Sequence, residues 1–364
     1  MNHKPLAALF VTIVFFILLC SGCIDTLFDS STRYQSYPTS VSYTISYGYD
    51  VDVSGEGTYT LTYLCDYPQV VSGIVSSRSV LYPQDYEEVS FGKNNQVKWT
   101  IKSEPPQTYQ LGVTATVQSS SFLVSDLTGA AALSIQDIAV QYPDFVQDYC
   151  QGQSVGDTKY IDPSDPEIYE IATDVYTDAA IENSFLVSKA LFVWLKEHTE
   201  YQSHGTDTGV QSAVETCQIT TGDCDDLSFL YISLCRAVGI PARFIRGLLL
   251  ENLSLGSVAG PHAWVEVFVG GPVGNQGWIP IECACNAQIE TELHQNFGVE
   301  DALHLRLFVD QGSNESLNRS LSSISWSYTS SVDVTAHSFI EITDYTVLNS
   351  QQLVITKENQ RSYQ

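Results

Sequence analysis

Basic residues are scarce in this chain: 16 Lys and Arg stand against 42 Asp and Glu, a formal net charge of −26 over 364 residues. Such a surface repels a polyanion, which excludes nucleic acid as a partner. Long apolar runs are equally scarce. Beyond Ile24 no stretch is long and apolar enough to cross a bilayer as a helix. No internal repeat is present, and the acidic residues are spread along the chain, so no block has the composition of a disordered acidic tail. The cysteines match no zinc-binding spacing, and no cofactor is expected. The rival reading, a metal cluster on Cys283 and Cys285 with Cys217 and a histidine, has no pattern behind it.

The one long apolar run is at the start. M-N-H-K-P is followed by L-A-A-L-F-V-T-I-V-F-F-I-L-L, which reads as a secretory signal at 1–23 with a weakly basic n-region. Ser21-Gly22-Cys23 resembles a lipoprotein cleavage box with Cys23 as the lipidated residue, although Cys20 stands where such boxes have Leu. The alternative is an uncleaved anchor, because the apolar run extends to Ile24. Both readings place the bulk of the chain outside the cytoplasm, tethered to a membrane.

From 24 to 150 the texture is that of short strands. S-V-S-Y-T-I-S-Y-G-Y, G-T-Y-T-L-T-Y-L, Q-V-K-W-T-I-K and T-Y-Q-L-G-V-T-A-T-V alternate apolar with polar residues between Gly, Pro, Asn and Asp. That pattern predicts an N-terminal antiparallel β-sandwich, which holds no catalytic constellation and serves as a spacer or a binding module. A Gly, Ser, Asp and Pro cluster at 151–166 reads as a linker. Two helices are predicted next, over P-E-I-Y-E-I-A-T-D-V-Y and N-S-F-L-V-S-K-A-L-F-V-W-L-K-E-H, opening an α/β unit at 167–310. Residues 311–364 return to strand texture as a C-terminal β segment. The fold class is therefore α+β.

The stretch that organises the chain is Thr221–Arg243, T-G-D-C-D-D-L-S-F-L-Y-I-S-L-C-R-A-V-G-I-P-A-R. Asp223 is a good N-cap, and Leu227, Leu230 or Tyr231, Leu234, Cys235 and Val238 recur at helical spacing as an apolar stripe. Gly239 stops the helix, and Pro241 cannot continue it. Cys224 thus falls in the first turn, where free amides and the helix dipole favour a thiolate. Asp223, Asp225 and Asp226 crowd it and oppose that charge. A cationic partner must come from elsewhere, and a histidine suits the task.

Such a histidine follows a strand at Ala242–Leu250. In P-H-A-W-V-E-V-F-V, alternation puts His262, Trp264, Glu266 and Phe268 on one face. Gly270–Gly277 reads as a hairpin loop, and W-I-P-I-E-C returns as a second strand. The hairpin brings Glu282 back toward His262, where a carboxylate orients and stabilises an imidazole. An exposed strand carboxylate is the bland alternative for Glu282.

G-D-C-D-D, C-R-A-V-G-I-P-A-R, H-A-W-V-E-V-F-V and G-W-I-P-I-E, in that order, resemble the transglutaminase-like superfamily over roughly 190–300. The resemblance implies a papain-like α/β fold with Cys224 as nucleophile, His262 as base and acid, and Glu282 as third member, where the family has Asp. E-C-A-C also departs from the family's D-P-T. Tyr201, Gln202 and Gln211 are candidates for a second oxyanion donor before the helix. Six cysteines remain for an exported chain, and a bridge from Cys217 to Cys283 or Cys285 would clamp the two sides of the site. The expected activity is acyl transfer from protein or peptide amides, hydrolysis before cross-linking. A non-catalytic surface protein that keeps the fold is the competing class.

Overall fold

The computed structural model describes residues 32–179, 182–203, 209–251, 258–285, 289–321, 324–328 and 331–364. Cys20, Cys23 and the segment expected to be a secretory signal lie outside them. No helix among the described residues is long and apolar enough to cross a membrane.

The chain begins with strands β1 (Thr32–Gly55), β2 (Tyr59–Asp66), β3 (Gly73–Val80), β4 (Tyr86–Phe91), β5 (Asn94–Ser103) and β6 (Gln107–Ser120). Their alternation buries every second side chain. Val41, Tyr43 and Ile45 of β1 meet Leu61 and Tyr63 of β2, Val97 and Trp99 of β5, and Val113 and Ala115 of β6 in one core. After the short β7 (Phe122–Leu123) come two one-to-two-turn helices, α1 (Ile135–Gln141) and α2 (Pro143–Tyr149). Ser134 caps α1 through the Asp137 amide, and Pro143 opens α2, where its missing N–H costs nothing.

Residues 151–166, expected as a linker, hold a hairpin of β8 (Gln153–Val155) and β9 (Thr158–Ile161). Ile161 is buried in the core of the following unit, and Gln153 donates to Asp310 and to the Ser313 carbonyl. The polar, turn-rich composition here reflects a tight hairpin rather than free chain. The two predicted helices follow as α3 (Pro166–Ala179) and α4 (Ser184–His198). Then come β10 (Glu200–Tyr201), α5 (Ala213–Ile219), β11 (Thr221–Gly222) and α6 (Cys224–Ala237).

Helix α6 reads from its sequence as a buried helix with an apolar stripe, and it is buried. It is buried nearly all round from Asp226 to Arg236, because α3, α4 and α5 cover the sides that β12 (Ala242–Glu251) and β13 (Val258–Phe268) leave open. Gly239, at φ +83°, ends it as predicted. Strand β13 pairs in antiparallel fashion with β12 and with β14 (Trp278–Ile281), Phe268 facing Trp278 across the hairpin. After α7 (Ile289–Asn296) and β15 (Val299–Glu300), strand β16 (His304–Val309) closes the other edge, giving the order β14-β13-β12-β16.

The chain then leaves this unit through α8 (Asn314–Leu321) and re-enters the sandwich. Strand β17 (Ile324–Tyr328) pairs with β2, and β18 (Val332–Ile355) pairs with β1 along its length, with β19 (Arg361–Tyr363) outside it. The C-terminal β segment therefore completes the N-terminal sheets. Sequence alternation marks each strand but not its distant partner. The sandwich also packs against the second unit. Leu248, Leu250, Leu305 and Leu307 of the second sheet lie in the sandwich's own core, so that sheet carries α6 on one face and the sandwich on the other.

Candidate active site

Cys224 is the first residue of α6, and a reciprocal capping box holds it there. Asp223 accepts from the Asp225 amide at 3.2 Å, while Asp226 accepts from the Asp223 amide at 3.0 Å. Gly222 is required just before: a Cβ on it would lie 2.6 Å from that of Asp226. Pairing of β10 with β11 sets Tyr201 opposite Gly222 and so beside the cysteine.

His262 lies in the middle of β13, opposite Gly247 of β12. The absent side chain at Gly247 makes room for the Trp264 ring, whose atoms would sit 2.7–2.8 Å from a Cβ there. Trp264 in turn lies along His262, ring centres 5.9 Å apart and planes within 24°. Glu282, one residue past β14, meets His262 Nε2 with Oε2 at 2.7 Å. With Nε2 taken, Nδ1 is the nitrogen left for a thiol proton.

Cys224 and His262 line one cavity of about 380 Å³, together with Tyr201, Asp223, Asp225 and Arg246. Burial pushes the Cys224 thiol well above its ordinary value, and Asp225, Asp223 and Glu282 push it further; the Ala263 amide, directed at the sulfur, works the other way. Burial and the neighbouring Asp223 and Asp226 raise Asp225 to about 7 against the pull of Arg246 and His262. These surroundings favour the neutral thiol at Cys224. Glu282 behaves oppositely: burial opposes its charge, but His262 and His304 overcome this and hold it well below the usual carboxylate range.

Of the oxyanion candidates, Tyr201 lines the cavity. Gln202 and Gln211 are not among its lining residues. Gln202 is exposed and its amide is spent on the Gly222 carbonyl, while the Gln211 amide donates to Asp226 at 2.8 Å. The expected disulfide is corrected too: Cys217, Cys283 and Cys285 are all unbridged. Cys217, on α5, faces Glu167 and Asp165 near the start of α3. Cys283 is buried beside Lys196, Cys285 and Cys235, on another side of the core.

Sequence reading missed two groups. Arg246 of β12 enters the cavity while pairing with Asp66 of the sandwich. His304, the first residue of β16, places Nε2 3.1 Å from Glu282 Oε2 and Nδ1 2.7 Å from Asp301. The alternation of H-L-R-L-F-V could have shown His304 facing inward, but not what it would face. His262, Glu282 and His304 each bring a ligand atom within 4.8 Å of the others, a spacing that suits a divalent ion. Direct hydrogen bonds already engage all three atoms.

A thiol at a helix start, an imidazole on the facing strand and a carboxylate on that imidazole form an arrangement of the papain-like kind. Residues 173–283 match the model of the transglutaminase-like superfamily. No curated protein matches the chain. Among solved structures, a candidate cysteine protease from Cytophaga hutchinsonii superposes with a TM-score of 0.54 at 19% identity, covering 92% of this chain and all of that one. The periplasmic domain of TgpA from Pseudomonas aeruginosa gives 0.34 at 13% identity over 73% of this chain and 99% of its own. Red sea bream transglutaminase gives 0.30 at 13% identity, over 62% of this chain and 45% of its own.

Proposed function

We propose that this chain is an exported, membrane-tethered thiol hydrolase that cleaves protein or peptide amides through Cys224. The observation that carries the reading is one cavity lined by Cys224 and His262, with Glu282 hydrogen-bonded to the far side of the imidazole. The Cytophaga protein of the same fold, described as a candidate cysteine protease, agrees with it. Tethering rests on the signal-like segment ending at Cys23.

With the neutral thiol favoured, attack is coupled to proton transfer. His262 Nδ1 takes the Cys224 proton as the sulfur adds to the amide carbonyl. Donors for the developing oxyanion would come from the free amides at the start of α6 and from Tyr201, which lines the cavity. Glu282 stabilises the imidazolium, which then protonates the departing amine as the C–N bond breaks. In the second half, His262 deprotonates a water that adds to the thioester, and Cys224 leaves with the proton returned.

The test is incubation with a peptide library in H₂¹⁸O, with a primary amine present. Hydrolysis puts ¹⁸O into new carboxyl groups, and Cys224→Ala abolishes it. Amine incorporation without ¹⁸O would move the reading to cross-linking. Neither product from any peptide, with wild type and Cys224→Ala indistinguishable, would refute an enzymatic role.

A further inference from the structure

Glu282 stands where the resembling family has Asp, and its surroundings account for the longer arm. Its Oε1 accepts from the Ala284 amide at 2.7 Å. Its Oε2 takes both imidazoles, His262 at 2.7 Å and His304 at 3.1 Å. An Asp at this position ends about 1.5 Å short, one carbon–carbon bond, and cannot reach both rings.

His304 is tied at both ends. Nδ1 meets Asp301, which also accepts from the Leu303 amide at 2.9 Å, and Nε2 meets Glu282. A ring with a carboxylate oxygen at each nitrogen donates from both, and so carries two N–H groups and a positive charge. Trp264 closes the pocket, its ring centre 5.0 Å from His304 and edge-on to it. Trp264 is itself fixed by a 3.0 Å hydrogen bond to Glu300, which Arg306 grips from the other side.

We propose that His304 is a positioning residue for the triad: an imidazolium clamped between Asp301 and Glu282 that fixes the Glu282 carboxylate against His262 Nε2. Without it, Glu282 keeps only the Ala284 amide besides His262 and swings about its terminal bonds, and His262 loses the orientation that aims Nδ1 at the thiol. The pull of Asp301 and Glu282 on His304, which keeps it charged well above the ordinary histidine range despite burial, agrees with this.

This rests on the thiol-enzyme reading, so the test needs a readout free of turnover. In full-length protein, ¹⁵N NMR at pH 7.5 should show both His304 nitrogens protonated, and the His262 Nε2 proton should give a slowly exchanging downfield signal. His304→Ala should abolish that His262 signal while the chain stays folded by circular dichroism. Peptide hydrolysis should then lose about 10- to 100-fold in kcat with KM within about twofold. His304→Gln keeps one N–H aimed at Glu282 and should restore most of the rate. A neutral His304, or an unchanged His262 signal in His304→Ala, overturns the proposal whether or not the chain is an enzyme. An active wild type with unchanged kcat in His304→Ala overturns it and leaves the enzymatic reading standing.

Discussion

Glu266 offers the sharpest test of how the active-site strand is held. It is 1% exposed on β13 and lies between two guanidinium groups. Arg243 donates to Oε2 at 2.6 and 2.9 Å, and Arg306 sits 2.7 Å from Oε1. Burial opposes its charge, but Arg306 and Arg243 prevail and lower it from 4.5 to about 2. That difference corresponds to about 3 kcal/mol of stability. Breaking one partner of a buried ion pair independently costs about 3–5 kcal/mol, so the two routes agree. The depressed value sets the sign. This stability is complete above the unfolded value near 4.5 and is lost as pH falls through about 2. Glu266→Gln should therefore be less stable than wild type by about 3 kcal/mol at pH 7 and by less than half of that at pH 3. Urea unfolding followed by tryptophan fluorescence at both pH values measures the difference. A gap under about 1 kcal/mol at pH 7, or one that does not shrink on acidification, would falsify the ion-network account.

Asp225→Asn removes a carboxyl raised to about 7, so the variant should match wild type below pH 4 and exceed its stability above pH 7; its Cys224 should also alkylate on the order of tenfold faster at pH 7.5. Glu282→Asp should keep the fold yet lose rate, and its His304 should titrate closer to an ordinary histidine because one of its two carboxylates is out of reach; two-dimensional NMR of the imidazoles checks this. Gly247→Ala should cost about 1–3 kcal/mol and most of the activity, since its Cβ would meet the Leu305 carbonyl at 2.2 Å and displace Trp264 from His262; thermal melts and peptide turnover together read it out. Asp66→Asn should release Arg246 into the cavity, and a raised KM with unchanged kcat is the expected kinetic result.

The reach of sequence reasoning follows the range of the interactions. Helix α6, its Asp223 cap, its Gly239 stop and the β13–β14 hairpin are set by residues within a few positions of one another. Periodicity, cap chemistry and loop composition therefore specify them, and with them Cys224, His262 and Glu282. The alternation of β1, β2, β5 and β6 likewise states which side chains turn inward, and those side chains do form the sandwich core.

Partnership across the chain is another matter, because hydrogen-bond ladders carry no label of their partner. Nothing local to Val332–Ile355 says that it pairs with Thr32–Gly55, hundreds of residues earlier. Nothing local to 151–166 distinguishes a packed hairpin from free chain; only the burial of Ile161 and Gln153 against distant elements does so. The cysteines show the same limit, since pairing depends on where α5 and the end of β14 lie in the packed unit. His304 was invisible for this reason too. It reads as one polar residue at the start of a strand, and becomes part of the site only when β16 packs against β12 and sets its ring between Asp301 and Glu282. The sequence alone singled out the candidate groups Cys224, His262 and Glu282, through local chemistry. Tertiary packing decided what surrounds them, because burial and charge at a site come from residues that meet only in the folded chain.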